Sequence, residues 1–157
     1  MLKTVLQSLE RQPVNIAGDL FSYLSPFSAH QIEIWGEKFA TIEHAYQCAK
    51  LKPSLEREGI KNSKSPLQAW LLAQEYKKNP DIQKKLSKEE LLNLVEELFR
   101  AKYNQHEDIR EILEMTKGRG ILKVFGADNF WGTGEDGKGE NWMGRIWIKI
   151  RDEIQNK

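Results

Sequence analysis

The sequence is poorest in cysteine. Cys48 is the single one among 157 residues, so no internal disulfide can form. With only His30, His44 and His106 beside it, the donor set for a structural zinc site is thin, and neither metal nor another cofactor is expected. Long apolar runs are missing too. Nothing approaches the roughly 18 residues of a membrane span, and the opening MLKTVLQSLERQP has neither a secretory apolar core nor a small-residue cleavage site. The chain therefore reads as cytoplasmic, with no membrane partner. Charge of one sign is not in excess: 24 Lys and Arg face 23 Asp and Glu, a net +1 that provides no overall field for a polyanion. Any nucleic-acid contact has to come from a local patch. Repeats and low-complexity runs are absent. What is present, 39% apolar and 30% charged residues, is a globular composition of a size suited to one domain over 1–157.

Punctuation predicts several helices. Ser65-Pro66 offers an N-cap followed by proline at the first helical position, and Leu67, Trp70, Leu71 and Gln74 follow at helical spacing to about Lys77. Ser87-Lys-Glu-Glu90 is a capping box ahead of the stripe Leu91, Leu94, Val95, Leu98 and Phe99. Ile109, Ile112 and Leu113 mark a shorter helix; Met143, Ile146, Trp147, Ile150 and Ile154 mark a C-terminal one that Asn141 could cap. These stripes are read as core. Ile32, Ile34 and Phe39 flank Trp35-Gly-Glu-Lys38 as a small hairpin, and Ile121 to Phe125 reads as a further short strand. The class is α+β, helix-rich, with a small hairpin or sheet. Two loop-like stretches remain, 17–29 and 126–140, and loops held by a scaffold are where chemistry gathers.

The first concentrated signal is FATIEHAYQCAKL. Thr41 can cap a helix that turns Ile42, Ala45, Tyr46 and Ala49 inward, leaving Glu43, Gln47 and Lys50 as a polar stripe beside that face. A partly desolvated carboxylate there suits acid/base work. The same placement also suits ordinary surface chemistry, since an acid in the first turn complements the helix dipole. His44, on another side, reads as a structural histidine. The second signal is ADNFWGTGEDGKGENWMGR, in which Asp128 offers a carboxylate and Trp131 a ring for stacking. Gly132-x-Gly134-x-x-Gly137 spells a dinucleotide fingerprint but comes late in the chain and carries Glu135 and Asp136, which would repel a pyrophosphate. The ligand spacing of a calcium-binding EF-hand is absent. The alternative is a solvated surface loop anchored by a buried Trp131. The basic cluster Lys117, Arg119 and Lys123 either neutralises a phosphate or is exposed loop chemistry.

In this order the chain carries Leu24-Ser-Pro-Phe27, Thr41-Ile-Glu-His-Ala-Tyr-Gln47 with Lys50, Lys102-Tyr103 with Gln105, Thr116, Asp128 with Trp131-Gly132 and Gly134, Gly139 with Asn141 and Gly144, and Arg151. The set resembles the YbiA-like, or NADAR, family from Phe21 to Arg151. That resemblance implies a YbiA-like fold and a metal-independent N-glycosidase that cleaves between a ribose-type sugar and a nitrogen leaving group. Implied substrates are phosphorylated ribosylamino-pyrimidines of riboflavin synthesis or ADP-ribose on guanine, with nucleic acid only as carrier of the modified base. Carried over residue by residue, it makes Glu43 and Asp128 catalytic and gives substrate contacts to Ser25, Phe27, Gln47, Lys50, Trp131, Gly132, Asn141 and Arg151. Lys50 and Arg151 would contact phosphate or hold the carboxylates. The alternative is a non-catalytic module binding ADP-ribose or a nucleotide. Pro26, where the family commonly has asparagine, and Lys123, where it often has an acid, are departures that bear on substrate choice.

Overall fold

Helices start where the sequence places its caps. In the computed structural model, which describes residues 1–18 and 20–157, Ser65 Oγ accepts from Gln68 N at 3.0 Å ahead of a helix opened by Pro66. Within the loop read at 17–29, Asp19 lies outside the described residues, and Leu20–Leu24 forms a 3-10 turn. Ser87 and Glu90 close the reciprocal box, Ser87 Oγ accepting from Glu90 N at 3.1 Å and Glu90 Oε2 from Ser87 N at 2.6 Å.

The chain order is α1 (Leu2–Arg11), β1 (Val14–Asn15), β2 (Ile32–Ile34), β3 (Glu37–Phe39), α2 (Ile42–Ala49), α3 (Leu55–Lys61), α4 (Pro66–Tyr76), α5 (Lys88–Gln105), α6 (Glu107–Met115), β4 (Ile121–Leu122) and α7 (Trp142–Gln155). The helix-rich α+β class is as expected. The described residues form two compact units, one of Met1–Ser25 with Glu107–Lys157 and one of Pro26–His106.

In the Pro26–His106 unit, β2 and β3 pair antiparallel, Ile32 opposite Phe39, through a two-residue turn at Trp35 (φ 56°) and Gly36 (φ 75°). Both positions of such a hairpin turn require positive φ, which is why the glycine marked it. Gln105 of α5 accepts from Glu33 N and donates to Glu33 O, both at 2.8 Å, covering one edge of the hairpin. Around α2 pack α3, α4, α5 and β3. It is consequently buried almost all round, with Ile42, Glu43, His44, Ala45, Gln47 and Cys48 inaccessible, rather than along one apolar side. On α4 the expected core stripe is overturned: Ala69 and Ala73 face inward, while Leu67, Trp70 and Leu71 are exposed. Small side chains let α4 approach α2 and α3 closely, so the large ones are left on the outer face.

In the other unit, β1 and β4 pair in parallel, Val14 with Ile121 and Asn15 with Leu122. The strand read as Ile121 to Phe125 stops at Leu122, because the next two amides go to side chains: Lys123 N to Asn141 Oδ1 at 2.9 Å and Val124 N to Asn15 Oδ1 at 3.1 Å. Ile109, Ile112, Leu113, Met143, Ile146, Trp147 and Ile150 form its core as the stripes predict, with Trp147 Nε1 donating to Leu24 O at 2.9 Å.

Candidate active site

Glu43 owes its place to the start of α2. Thr41 is extended (φ −147°, ψ 166°), and its Oγ1 accepts from His44 N at 3.3 Å. His44 Nε2 lies 3.1 Å from Ser63 O, an acceptor only, so that nitrogen carries the proton and Nδ1 accepts from the Thr41 hydroxyl at 2.8 Å. His44 is thus the structural histidine the sequence reading assigned. One residue earlier, Glu43 N donates to Pro26 O at 3.1 Å, tying the Pro26 loop to the first turn.

The Glu43 side chain is only 5% exposed for the residue as a whole. Its Oε1 accepts from Gln47 Nε2 at 2.7 Å across one helical turn. Gln47 is itself buried, and its Oε1 has no hydrogen-bond partner among the described residues. Buried acceptors are seldom left so; this one sits beside a carboxylate, ready for a hydroxyl or amide hydrogen from a ligand or water. Lys50 completes the stripe with its ammonium 4.5 Å from the centre of the Tyr46 ring. Burial pushes the Lys50 pKa down to about 8, the Lys77 charge adds to that, and Glu43 pulls the other way. The group therefore changes charge near neutral pH.

Phe27 is 42% exposed. Its neighbour Ser28 receives a hydrogen bond from the ammonium of Lys102, which is wholly buried, and Ser28 Oγ lies 2.9 Å from His30 Nδ1. Lys102 was matched as part of a motif but given no role. A signal for its burial existed: it continues the Val95, Leu98, Phe99 stripe of α5 at helical spacing.

In the Met1–Ser25 and Glu107–Lys157 unit, the second signal is a stitched loop. Asp128 Oδ1 accepts from Trp131 N at 2.8 Å and Phe130 N at 3.2 Å, and Oδ2 pairs with Lys123 Nζ at 2.7 Å. Burial alone would raise the Asp128 pKa, but the Lys123 ammonium and the two amides outweigh it and hold the carboxyl below its ordinary value. Trp131 is half-buried, edge-on to Phe130 with centroids 4.7 Å apart. Gly132 passes so close to the chain that a Cβ there would lie 2.7 Å from Lys123 O. The loop returns through Gly139 N to Thr133 O (2.6 Å) and Asn141 N to Gly132 O (2.9 Å). It is therefore stitched by its own hydrogen bonds, while residues 135–138 at its tip are exposed.

Two expected ligand contacts, Asn141 and Arg151, have their side chains engaged within the protein. Asn141 stands at the N-cap of α7 but is left-handed (φ 54°), and its side chain does not cap; its amide ties Lys123 N and Ile121 O. Arg151, 7% exposed, donates through Nη1 to Thr116 O at 2.8 Å and Arg119 O at 2.6 Å, and through Nε to Asp152. It closes the C-terminal end of α6. Lys123 is taken by Asp128, and Arg119 donates to Gln12 O at 2.6 Å. Ser25 is half-buried, its N–H going to Ser22 O at 2.9 Å.

Residues 15–155 match the NADAR domain family model, which runs through both units. The chain is 28% identical over 136 residues to the N-glycosidase YbiA of Escherichia coli (strain K12), covering 87% of this chain and 83% of that one. It is 29% identical over 143 residues to an N-glycosidase of Nostoc punctiforme, covering 87% of each. It is 27% identical over 148 residues to the chloroplastic riboflavin biosynthesis protein PYRR of Zea mays, of whose length only 24% is covered. Among solved structures, that of E. coli YbiA is similar with a TM-score of 0.75 and 25% identity, over 93% of this chain and 86% of that one.

Proposed function

The chain belongs to the NADAR domain family, and from that premise we propose that it is an N-glycosidase that hydrolyses the C–N bond between a phosphorylated ribose, or ADP-ribose, and a nitrogenous base. Support comes from the relatives named N-glycosidase and riboflavin biosynthesis protein, and from one observation above the others. The Glu43 carboxylate is almost excluded from water, held by Gln47, and flanked by a buried acceptor that lacks a donor.

Breaking such a bond builds positive charge on the sugar and basicity on the departing nitrogen. A carboxylate with little water around it acts on that charge more strongly than one in solvent, because its field is less screened. Glu43 takes this part, stabilising the oxocarbenium-like sugar, accepting the proton of the attacking water as the C–O bond forms, and returning that proton to the departing base nitrogen, so that free base and free sugar leave and the carboxylate is restored. Gln47 keeps the carboxylate oriented and offers its free Oε1 to a sugar hydroxyl. Lys50, ionised below about pH 8, meets the phosphate. Asp128, held ionised by Lys123 and two amides, is a positioning residue that fixes the Trp131 backbone within its own unit. No step calls on a metal or cofactor. Substrates of this class are the phosphorylated ribosylamino-pyrimidines and ADP-ribosylated guanine, with nucleic acid only as the carrier.

The test is mass spectrometry of products after incubation with ribosylamino-pyrimidine phosphate and with ADP-ribosylguanosine, wild type against Glu43→Gln. Free base from the wild type, reduced roughly 10²–10⁴-fold in the variant, is the expected result. Equal release by both removes Glu43 from the chemistry. ADP-ribose binding without turnover of either substrate would instead identify a binding module.

A further inference from the structure

Helix α1 is strongly amphipathic yet has no buried residue. Leu2, Val5, Leu6 and Leu9 form one apolar face and are 76%, 51%, 52% and 58% exposed. A ten-residue helix gains little from its backbone alone, and in folded proteins such helices persist by burying their apolar stripe. Among the described residues, its C-terminal end is fastened by Arg119, which donates through Nε to Gln12 O at 2.6 Å and through Nη2 to Leu9 O at 3.5 Å and sits 5.3 Å from the Phe21 ring centre. The face is therefore presented and left uncovered.

We propose that α1 is a self-association element that pairs antiparallel with α1 of a second copy of this chain. The order of its apolar residues is the argument. Spacing 2, 5, 6, 9 reads the same in both directions about a point between Val5 and Leu6. A twofold axis there sets Leu2 against Leu9 and Val5 against Leu6 of the other copy, leaving no apolar residue opposite a polar one. Charge agrees. Lys3 and Glu10 lie seven residues apart on one flank, and in an antiparallel pair like flanks face each other, so Lys3 of each copy meets Glu10 of the other. A membrane surface fits less well: the polar face carries Glu10 beside Lys3 and Arg11, and the apolar face has no aromatic residue. Four side chains so exposed offer roughly 400 Å² per helix, so the pair covers roughly 800 Å², below the roughly 1,200 Å² of a standard interface. The dimer is accordingly weak and concentration-dependent.

Sedimentation equilibrium of the full chain from about 5 to about 500 μM tests this. The expected result is a mass rising from monomer towards dimer, abolished by Leu6→Lys with unchanged melting, since Leu6 is not part of the core. Lys3→Glu and Glu10→Lys should each weaken association and together restore it. Under a mild oxidant, a mixture of Leu2→Cys and Leu9→Cys chains should cross-link to each other more than either does to itself; Cys48 is buried and does not compete. A wild-type monomer at every concentration, association unaffected by Leu6→Lys, preferential Leu2→Cys homodimers, or binding to anionic vesicles without self-association would each overturn the proposal.

Discussion

At the scale of single residues, the consequences gather on α2. Lys50 has its pKa brought from the ordinary 10.5 to about 8, chiefly by burial. Between those values the unfolded chain holds the proton more firmly than the folded one, so stability rises as pH goes from about 8 to about 10.5. Below that window both states carry the charge, and the folded state bears the cost of burying it. Thermal melts at a series of pH values should show that rise in the wild type and a flatter profile in Lys50→Met. Activity should move oppositely: if Lys50 meets a phosphate, KM increases above about pH 8 while kcat changes less. Gln47→Leu should also raise KM, because it removes a buried side-chain acceptor left without a donor among the described residues.

Elements respond to how their ends are closed. Arg151 of α7 holds two carbonyls beyond the end of α6, so Arg151→Met strands buried acceptors and should cost about 2–4 kcal/mol in denaturant titrations with KM little changed. A large KM effect in a stably folded variant would return Arg151 to the substrate. Thr41 accepts at the start of α2 and donates to His44, and Thr41→Ala should cost about 1–2 kcal/mol. Its neighbour Glu43 would lose orientation, so kcat should fall as well. The Asp128 loop depends on Gly132 for a different reason: a side chain would collide with backbone on both sides, so Gly132→Ala should shift the Trp131 ring and show in tryptophan fluorescence.

Over the whole molecule, the near balance of 24 basic and 23 acidic residues leaves no long-range field. Substrate capture should therefore depend on salt only through a few local contacts, with kcat/KM changing less than about tenfold between 50 and 200 mM salt; a protein that tracks a nucleic-acid backbone loses far more. Acid sensitivity is expected at Glu37, which accepts from Arg57 at 3.0 and 2.7 Å and Lys61 at 2.9 Å and has its pKa lowered to about 2 by those bonds. The stabilisation is complete above about pH 4.5 and is lost as pH falls through about 2. Melts of Glu37→Gln across that range should lack this acid-side loss and lie below the wild type at neutral pH.

What the sequence by itself determined is local. Caps at Thr41, Ser65 and Ser87, the Trp35-Gly36 turn and the stripes of α5, α6 and α7 were legible because a cap or a period acts over a few neighbours. The family was legible as well. Only the tertiary structure decided which faces are covered. Ala69 and Ala73 turn inward in place of Leu67 and Trp70 because α2 and α3 approach that side of α4. The Asn141 amide and the Arg151 guanidinium are consumed by carbonyls and amides 18 to 35 residues away. Val14 finds Ile121 across most of the chain. Burial and hydrogen-bond satisfaction depend on partners brought from a distance, and no pattern within one segment records who they will be.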